Sequence, residues 1–297
     1  MRRLAIRAGA IGDFILSLPA LECLRTDYLE VWAAAPNVPL VRFAPARSIR
    51  DTGLDLLGIT EPPPNLLATL RSFDSIFSWY GSNRPEFREL VNRLDLPFTF
   101  FPALPPKDAG CHAADFYLDQ IASAATCSSD GIPRITCEAP SGVTRDCLHD
   151  TGTPLPGGRG SNMGTYVPVG PAARGSTVRK QGFAVIHPFS GSPRKNWPLA
   201  KFRALAAGLE RTLPVYWCRG DDDPPLENAV RIDNLYDLSC WLARAALYVG
   251  NDSGITHLAA AAGTPVLALF GPTDPAVWGP RGPNVRIARW NKSGALQ

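Results

Sequence analysis

Residues 247–271, LYVGNDSGITHLAAAAGTPVLALFG, leave few folds open. An apolar run ends at Val249, a polar turn runs from Gly250 to Gly254, helical spacing holds over 255–262, Gly263 stops it, and a second apolar run fills 265–270. Strand, turn, helix and strand in that order predict a βαβ unit with its polar turn at the working end. The first amides of a helix have no internal partners, and the helix dipole adds partial positive charge there. Ser253, Gly254 and Ile255 can therefore present N–H groups to a phosphate. Asp252 or Ser253 can equally serve only as a helix cap. His257, on the first turn, can hydrogen-bond a phosphate oxygen or simply pack.

The N-terminal half repeats the alternation. A strand over 4–7 leads into a turn, Ala8-Gly9-Ala10-Ile11-Gly12-Asp13, and a helix over 14–25 in which Pro19 predicts a late start or a bend. The turn lacks the third glycine of a dinucleotide fingerprint. The next strand, over 29–35, ends in Ala-Pro-Asn rather than in an acid for a ribose, so a nicotinamide cofactor is not expected. What the turn offers is a carboxylate, Asp13, at a strand-to-helix junction where ligands of α/β sheets bind; a capping aspartate is the plainer alternative. Beyond it the pattern predicts helices over 49–57, 86–94 and 113–125, strands over 75–79 and 98–101, and proline-rich loops at 61–64 and 102–106. Trp79-Tyr80-Gly81-Ser82 suits a sugar-facing edge or a buried one, and His112 can cap a helix or face the cleft.

A chain of 297 residues, 45% apolar and 19% charged, is a soluble globular protein best divided into two domains. A net charge of +3 with scattered arginines argues against nucleic acid and for no more than a mild preference for anions. Seven cysteines without a C-x-x-C pair or metal-ligand spacing read as reduced, buried thiols and offer no metal site; no cofactor is expected either. No apolar run is long enough to span a bilayer, and the N-terminus is too short in apolar residues for a secretory signal.

Residues 139–182 are rich in Gly, Pro, Ser, Thr and Arg without periodicity, which predicts an irregular linker or insertion between domains at 1–138 and 183–297. Order resumes with a strand over 183–187 and a loop over 188–198, followed by a helix to 211 and a strand over 215–218. In that loop Lys195 is a point charge suited to a phosphate, Ser190 and Ser192 add hydroxyls, and Gly191 permits close backbone approach.

Four separated pieces together resemble a known family: AIGDFILSLPALECLR at 10–25, HPFSGSPRKNWPLAKF at 187–202, the long block DLSCWLARAALYVGNDSGITHLAAAAGTPVLALFGPTDPAVWGP at 237–280 and, less specifically, HAADFYL at 112–118. The chain is similar to the bacterial ADP-heptose:lipopolysaccharide heptosyltransferases of glycosyltransferase family 9. The resemblance implies an α/β protein of GT-B architecture, two Rossmann-like domains with parallel sheets facing a central cleft. The acceptor would lie on the N-terminal domain and the nucleotide sugar on the C-terminal one. It also implies inverting transfer without a metal. By position in the family's motifs, Asp13 beside Gly12 would be the catalytic base, Lys195 the phosphate-binding lysine with Ser190, Gly191 and Ser192 around it, and Asp252, Ser253, Gly254 and His257 the donor-binding turn. The acidic ribose contact falls on Asp222, with Glu227 in reserve, and Leu235 lies near the expected adenine. The sequence departs from the family in its irregular 139–182 segment, in the little room left after 285–288 for the closing helices usual there, and in Ile255, where proline or leucine is common.

The expected function is transfer of a heptose or related sugar from a nucleotide diphosphate donor, ADP-heptose by resemblance, to a lipopolysaccharide-core or other glycan acceptor. Its place would be the cytoplasm, with peripheral contact at the inner membrane. Two alternatives stand beside it: a GT-B epimerase or hydrolase, and a non-catalytic binder of nucleotide sugar or glycan.

Overall fold

The computed structural model describes residues 1–106, 109–127 and 182–297. The expected linker at 139–182 lies, apart from Gly182, outside the described residues. In the first half, strands β1 (Arg2–Arg7), β2 (Tyr28–Ala33), β3 (Ala46–Ser48), β4 (Ser75–Ser78) and β5 (Phe98–Phe100) form one sheet in the order β3-β2-β1-β4-β5. In the second, β6 (Ala184–His187), β7 (Val215–Trp217), β8 (Leu247–Asn251), β9 (Val266–Phe270) and β10 (Val285–Arg289) form another in the order β10-β9-β8-β6-β7. Every strand pairing is parallel. A lone parallel bridge from Cys218 to Val230 extends the second sheet past β7. Counting it as a vestigial strand, both halves follow one order, with the first strand central and the order reversing beside it, which is where α/β sheets open a crevice for ligands.

Parallel sheets are covered on both faces, which is why their strands read as nearly unbroken apolar runs. Side chains alternate between those faces. Leu4 and Ile6 join one buried cluster with Trp32, Ile76 and Phe87, while Ile186, Val249 and Leu269 join another with Trp197 and Phe202. The opposite faces share a single larger cluster that takes Ala5, Val31 and Phe77 from the first sheet and Val185, Tyr248 and Ala268 from the second. Between them lie α1 (Ile11–Glu22), α5 (Ala113–Cys127), α7 (Leu235–Leu242) and α8 (Gly254–Ala261), with α1 packed on both α5 and α8. The outer helices are α2 (Ile49–Thr52), α3 (Pro64–Arg71), α4 (Pro85–Arg93), α6 (Leu199–Leu209) and α9 (Pro275–Trp278).

Several elements differ from the sequence expectation. α1 starts early rather than late, at Ile11, because Ala10 is already extended at the N-cap and Pro19 falls well inside the helix. The helix expected over 49–57 is broken at Gly53, whose φ of 73° is left-handed, and it continues only as a 3-10 turn over Leu54–Leu56. The proline-rich stretch at 61–64 ends by opening α3, since proline is at home in a first helical turn. Cys111 and Cys218 are free thiols, and burial pushes that of Cys218 up to about 12. Cys23 is disulfide-bonded, so the expectation of reduced thiols throughout does not hold.

Candidate active site

The chain leaves β1 at Arg7, turns through Gly9 with a φ of 155°, and enters α1. Asp13 stands in the first turn of that helix, whose N-cap is Ala10. Its carboxylate makes no hydrogen bond among the described residues, so it does not cap the helix, and the plainer alternative for this residue falls away. Burial pushes its pKa up, against the pull of Arg7 and Lys195, while the negative charge of Asp252 adds to the rise. The carboxylate of one half thus lies within reach of the charges of the lysine and second carboxylate of the other.

On the other side, the loop after β6 is pinned at both ends by Asn251. Its side chain accepts from the Trp197 amide at 2.9 Å and donates to the Pro188 carbonyl at 2.7 Å. Within the loop the Ser190 hydroxyl lies 2.8 Å from the Ser192 carbonyl and 2.7 Å from the Asn196 side-chain oxygen. A Cβ at Gly191 would meet nothing within 4 Å, so that face of the loop is open to a ligand. Lys195 closes a 3-10 turn, Pro193–Lys195, and its Nζ lies 2.8 Å from Asp252 Oδ2. The Thr273 hydroxyl donates to the same oxygen at 2.7 Å. The lysine is thus already paired, and an anion brought to it would compete with Asp252.

Ser253 is the N-cap of α8, its hydroxyl accepting from the Thr256 amide at 3.4 Å. It also lies 3.5 Å from His187 Nδ1, whose Nε2 meets Asp223 Oδ2 at 2.9 Å. Burial acts to raise the Asp223 pKa, but the hydrogen bonds from His187 and the Gly220 amide outweigh it and hold the carboxyl below the usual range. The acid that turns inward after β7 is thus Asp223; Asp222 and Glu227 are exposed. Leu235 is buried in the shared core, which leaves its side chain little surface for a base to stack on.

The two halves meet tightly at two glycines. A Cβ on Gly254 would come within 2.6 Å of Ile11 Cβ, and one on Gly12 within 3.1 Å of His257 Cδ2, so the first turn of α1 lies against the start of α8. His257 is 6% exposed, and burial lowers its pKa to about 4, so it packs as a neutral ring. At the rim, the Ala114 amide donates to His112 Nδ1 at 3.1 Å, which leaves the proton on Nε2 to be donated across the halves to the Gly279 carbonyl at 2.8 Å. Burial lowers the His112 pKa in keeping with that neutral tautomer. Asp115 and Arg281 form a bidentate pair beside it.

The sequence reading passed over Arg7, Tyr117, His187, Asp223, Asn251 and Thr273. A signal existed for Arg7: alternation along the central strand puts it on the same inward face as Ala5. Among the described residues no helix is long and apolar enough to cross a membrane, and no three His, Cys, Asp or Glu side chains gather as metal ligands.

Residues 169–296 match glycosyltransferase family 9 (heptosyltransferase). Lipopolysaccharide heptosyltransferase 3 of Escherichia coli is 31% identical over 116 residues, and that of strain K12 is 36% identical over 122. The alignments cover 34% and 36% of this chain and the same shares of the relatives, so the chain matches about a third of their length. Solved structures extend the likeness to the whole fold. E. coli heptosyltransferase WaaC with ADP superposes with a TM-score of 0.59 at 16% identity, covering 98% of this chain and 93% of that one. E. coli ADP-heptose LPS heptosyltransferase II gives 0.60 at 17% identity, covering 97% and 90%. A glycosyl transferase family 9 protein from Veillonella parvula DSM 2008 gives 0.62 at 17% identity, covering 97% and 85%. The chain has the GT-B fold, and its second half, residues 169–296, matches the model of glycosyltransferase family 9 (heptosyltransferase).

Proposed function

We propose that the protein is an inverting glycosyltransferase that moves a heptose or closely related sugar from a nucleoside diphosphate, ADP-heptose being the first candidate, to a lipopolysaccharide-core or similar glycan acceptor. The observation that carries this reading is the meeting of Asp13 with Lys195 and Asp252 across the cleft, each at the end of a strand beside the reversal point of its own sheet. Single displacement at an anomeric carbon asks for two things on opposite sides of the sugar. Asp13 takes the proton of the acceptor hydroxyl as the new C–O bond forms, a contribution of typically about 10²–10⁴-fold. Lys195 and the amides at the start of α8 take up the charge growing on the diphosphate as the old C–O bond breaks, at roughly a few kcal/mol for each aligned donor. The acceptor then belongs with the N-terminal half and the donor with the C-terminal half. The protein works at the cytoplasmic face of the inner membrane, where a glycolipid acceptor would be presented.

Incubation with ADP-heptose, with and without a lipopolysaccharide-core acceptor, tests the reading through ADP release. Release that depends on the acceptor is the expected result. Equal release without acceptor would make the protein a hydrolase, and tight ADP-heptose binding without release would make it a binding protein.

A further inference from the structure

The guanidinium of Arg7 is out of keeping with the core around it. Arg7 ends the central strand β1 on the face that packs against α1 and α5, and it is 1% exposed. Its Nε donates to Ser17 Oγ at 3.3 Å, Nη1 to the Ala103 carbonyl at 3.1 Å, and Nη2 to the Asp13 carbonyl at 3.3 Å and the Tyr117 hydroxyl at 2.9 Å. The group also lies 4.7 Å from the centre of the Tyr117 ring. Neutral oxygens and a ring face satisfy the N–H groups but do not balance a charge, and a buried ion without a counter-charge is costly. Among the described residues, no carboxylate oxygen lies within 4.0 Å of Arg7. The acid that feels its charge is Asp13, six residues along, on the turn that Arg7 itself holds.

We propose that Arg7 is a positioning residue for Asp13: it fixes the backbone carbonyl of that residue and supplies, from inside the fold, the positive charge against which the carboxylate stays ionised. This rests on Asp13 being the base of the proposed transfer. The groups facing Asp13 are Arg7 from β1, Lys195 from the loop after β6 and Asp252 from the turn before α8, with Tyr117 of α5 beside Arg7. Lys195 is one third exposed, shared with Asp252, and drawn away by a bound diphosphate. Arg7 is held by four oxygens and stays where it is. Once a donor occupies Lys195, Arg7 is, among the described residues, the cation left to Asp13, and a base that must stay unprotonated until it takes the acceptor's proton while a diphosphate is bound needs such a fixed partner.

The test is a carbon-13 titration of aspartate carboxyls in the full chain, with the Asp13 signal assigned by its loss in Asp13→Asn. In Arg7→Met the Asp13 carboxyl is expected to titrate at higher pH than in the parent, and in Arg7→Lys close to it. The acidic limb of acceptor-dependent ADP release should move the same way, with Arg7→Met losing roughly tenfold at pH 6 and less at pH 8. An unmoved Asp13 titration in a folded Arg7→Met protein overturns the proposal. A moved titration in a protein that shows no acceptor-dependent release keeps Arg7 in this role and removes the transfer reading instead. Should Arg7→Met fail to fold at pH 8, the double variant Arg7→Met/Asp13→Asn decides. Recovery of folding supports the pairing of the two charges, and failure overturns it.

Discussion

The crevice after β1 and the crevice between β6 and β8 occupy the same place in two sheets of the same order, yet they are furnished oppositely. The first presents a carboxylate with a buried arginine behind it; the second presents a lysine with a buried carboxylate behind it. In the first the cation is locked and the anion is offered to the cleft, while in the second the anion is locked and the cation is offered. The comparison teaches that the shared scaffold decides where chemistry happens and the loops at the strand ends decide its sign.

The largest expected effect breaks the first crevice alone. Asp13→Asn keeps the shape but removes the basic site. Acceptor-dependent turnover should fall by roughly 10²-fold or more while ADP affinity, measured by calorimetry, barely changes. A comparable loss of ADP affinity would mean that the two crevices are not separable. The joint between them is tested by acid. His257 is depressed to about 4 from an ordinary value of 6.5, so the stability it contributes is whole above pH 6.5 and is lost as pH falls towards 4. That gap corresponds to roughly 3 kcal/mol. Thermal unfolding midpoints between pH 7 and 4 should therefore drop more steeply in the parent than in His257→Gln. Parallel curves would show that the ring between α1 and α8 is not kept neutral by the fold.

Lys195→Ala acts first on the second crevice. Losing a charge-assisted hydrogen bond to the diphosphate, about 1.5–3 kcal/mol, should weaken ADP by roughly tenfold to a hundredfold, and because Lys195 also pulls the Asp13 pKa down, the Asp13 titration should move up. Unchanged ADP affinity would take Lys195 out of the site. The smallest effect belongs to the rim. Arg281 and Asp115 are each about half exposed, so Arg281→Ala should cost no more than about 1 kcal/mol in denaturant unfolding. A larger loss would mean that the rim pair, and not the shared core, holds the halves together.

The second crevice was the more legible of the two from sequence. Its lysine and its Asp-Ser-Gly turn sit in short polar loops between apolar runs, where a buried structural role is the exception. The motif spacing located Lys195 and Asp252 but not the 2.8 Å contact between them, because residues 57 apart in sequence meet only through the parallel pairing of β6 with β8. Asp13 was visible, but its freedom from capping was not, since that depends on where α1 begins, and one extended residue at Ala10 settles it. The sequence offered Asp222, with Glu227 in reserve; that the neighbouring Asp223 is the acid held against His187 could not be read by pattern, because a loop has no period to say which of its acids faces inward. Arg7 was only half legible: alternation put it on the inward face of β1, but a strand-end arginine ordinarily points to water, and the packing of α1 and α5 over it turns it into an interior charge.

Residues 290–297 look like a loose end and are not one. The Trp197 indole donates to the Gly294 carbonyl at 2.9 Å, and Lys201 reaches the same oxygen at 2.6 Å and that of Ser293 at 3.2 Å. A Cβ on Gly271 would strike the Trp290 ring at 2.4 Å. Trp197 sits two residues beyond Lys195, so the segment acts as a strap under the lysine loop. A cut made before Asn291 removes the carbonyls that hold Trp197 and Lys201, and with them the support of the lysine loop.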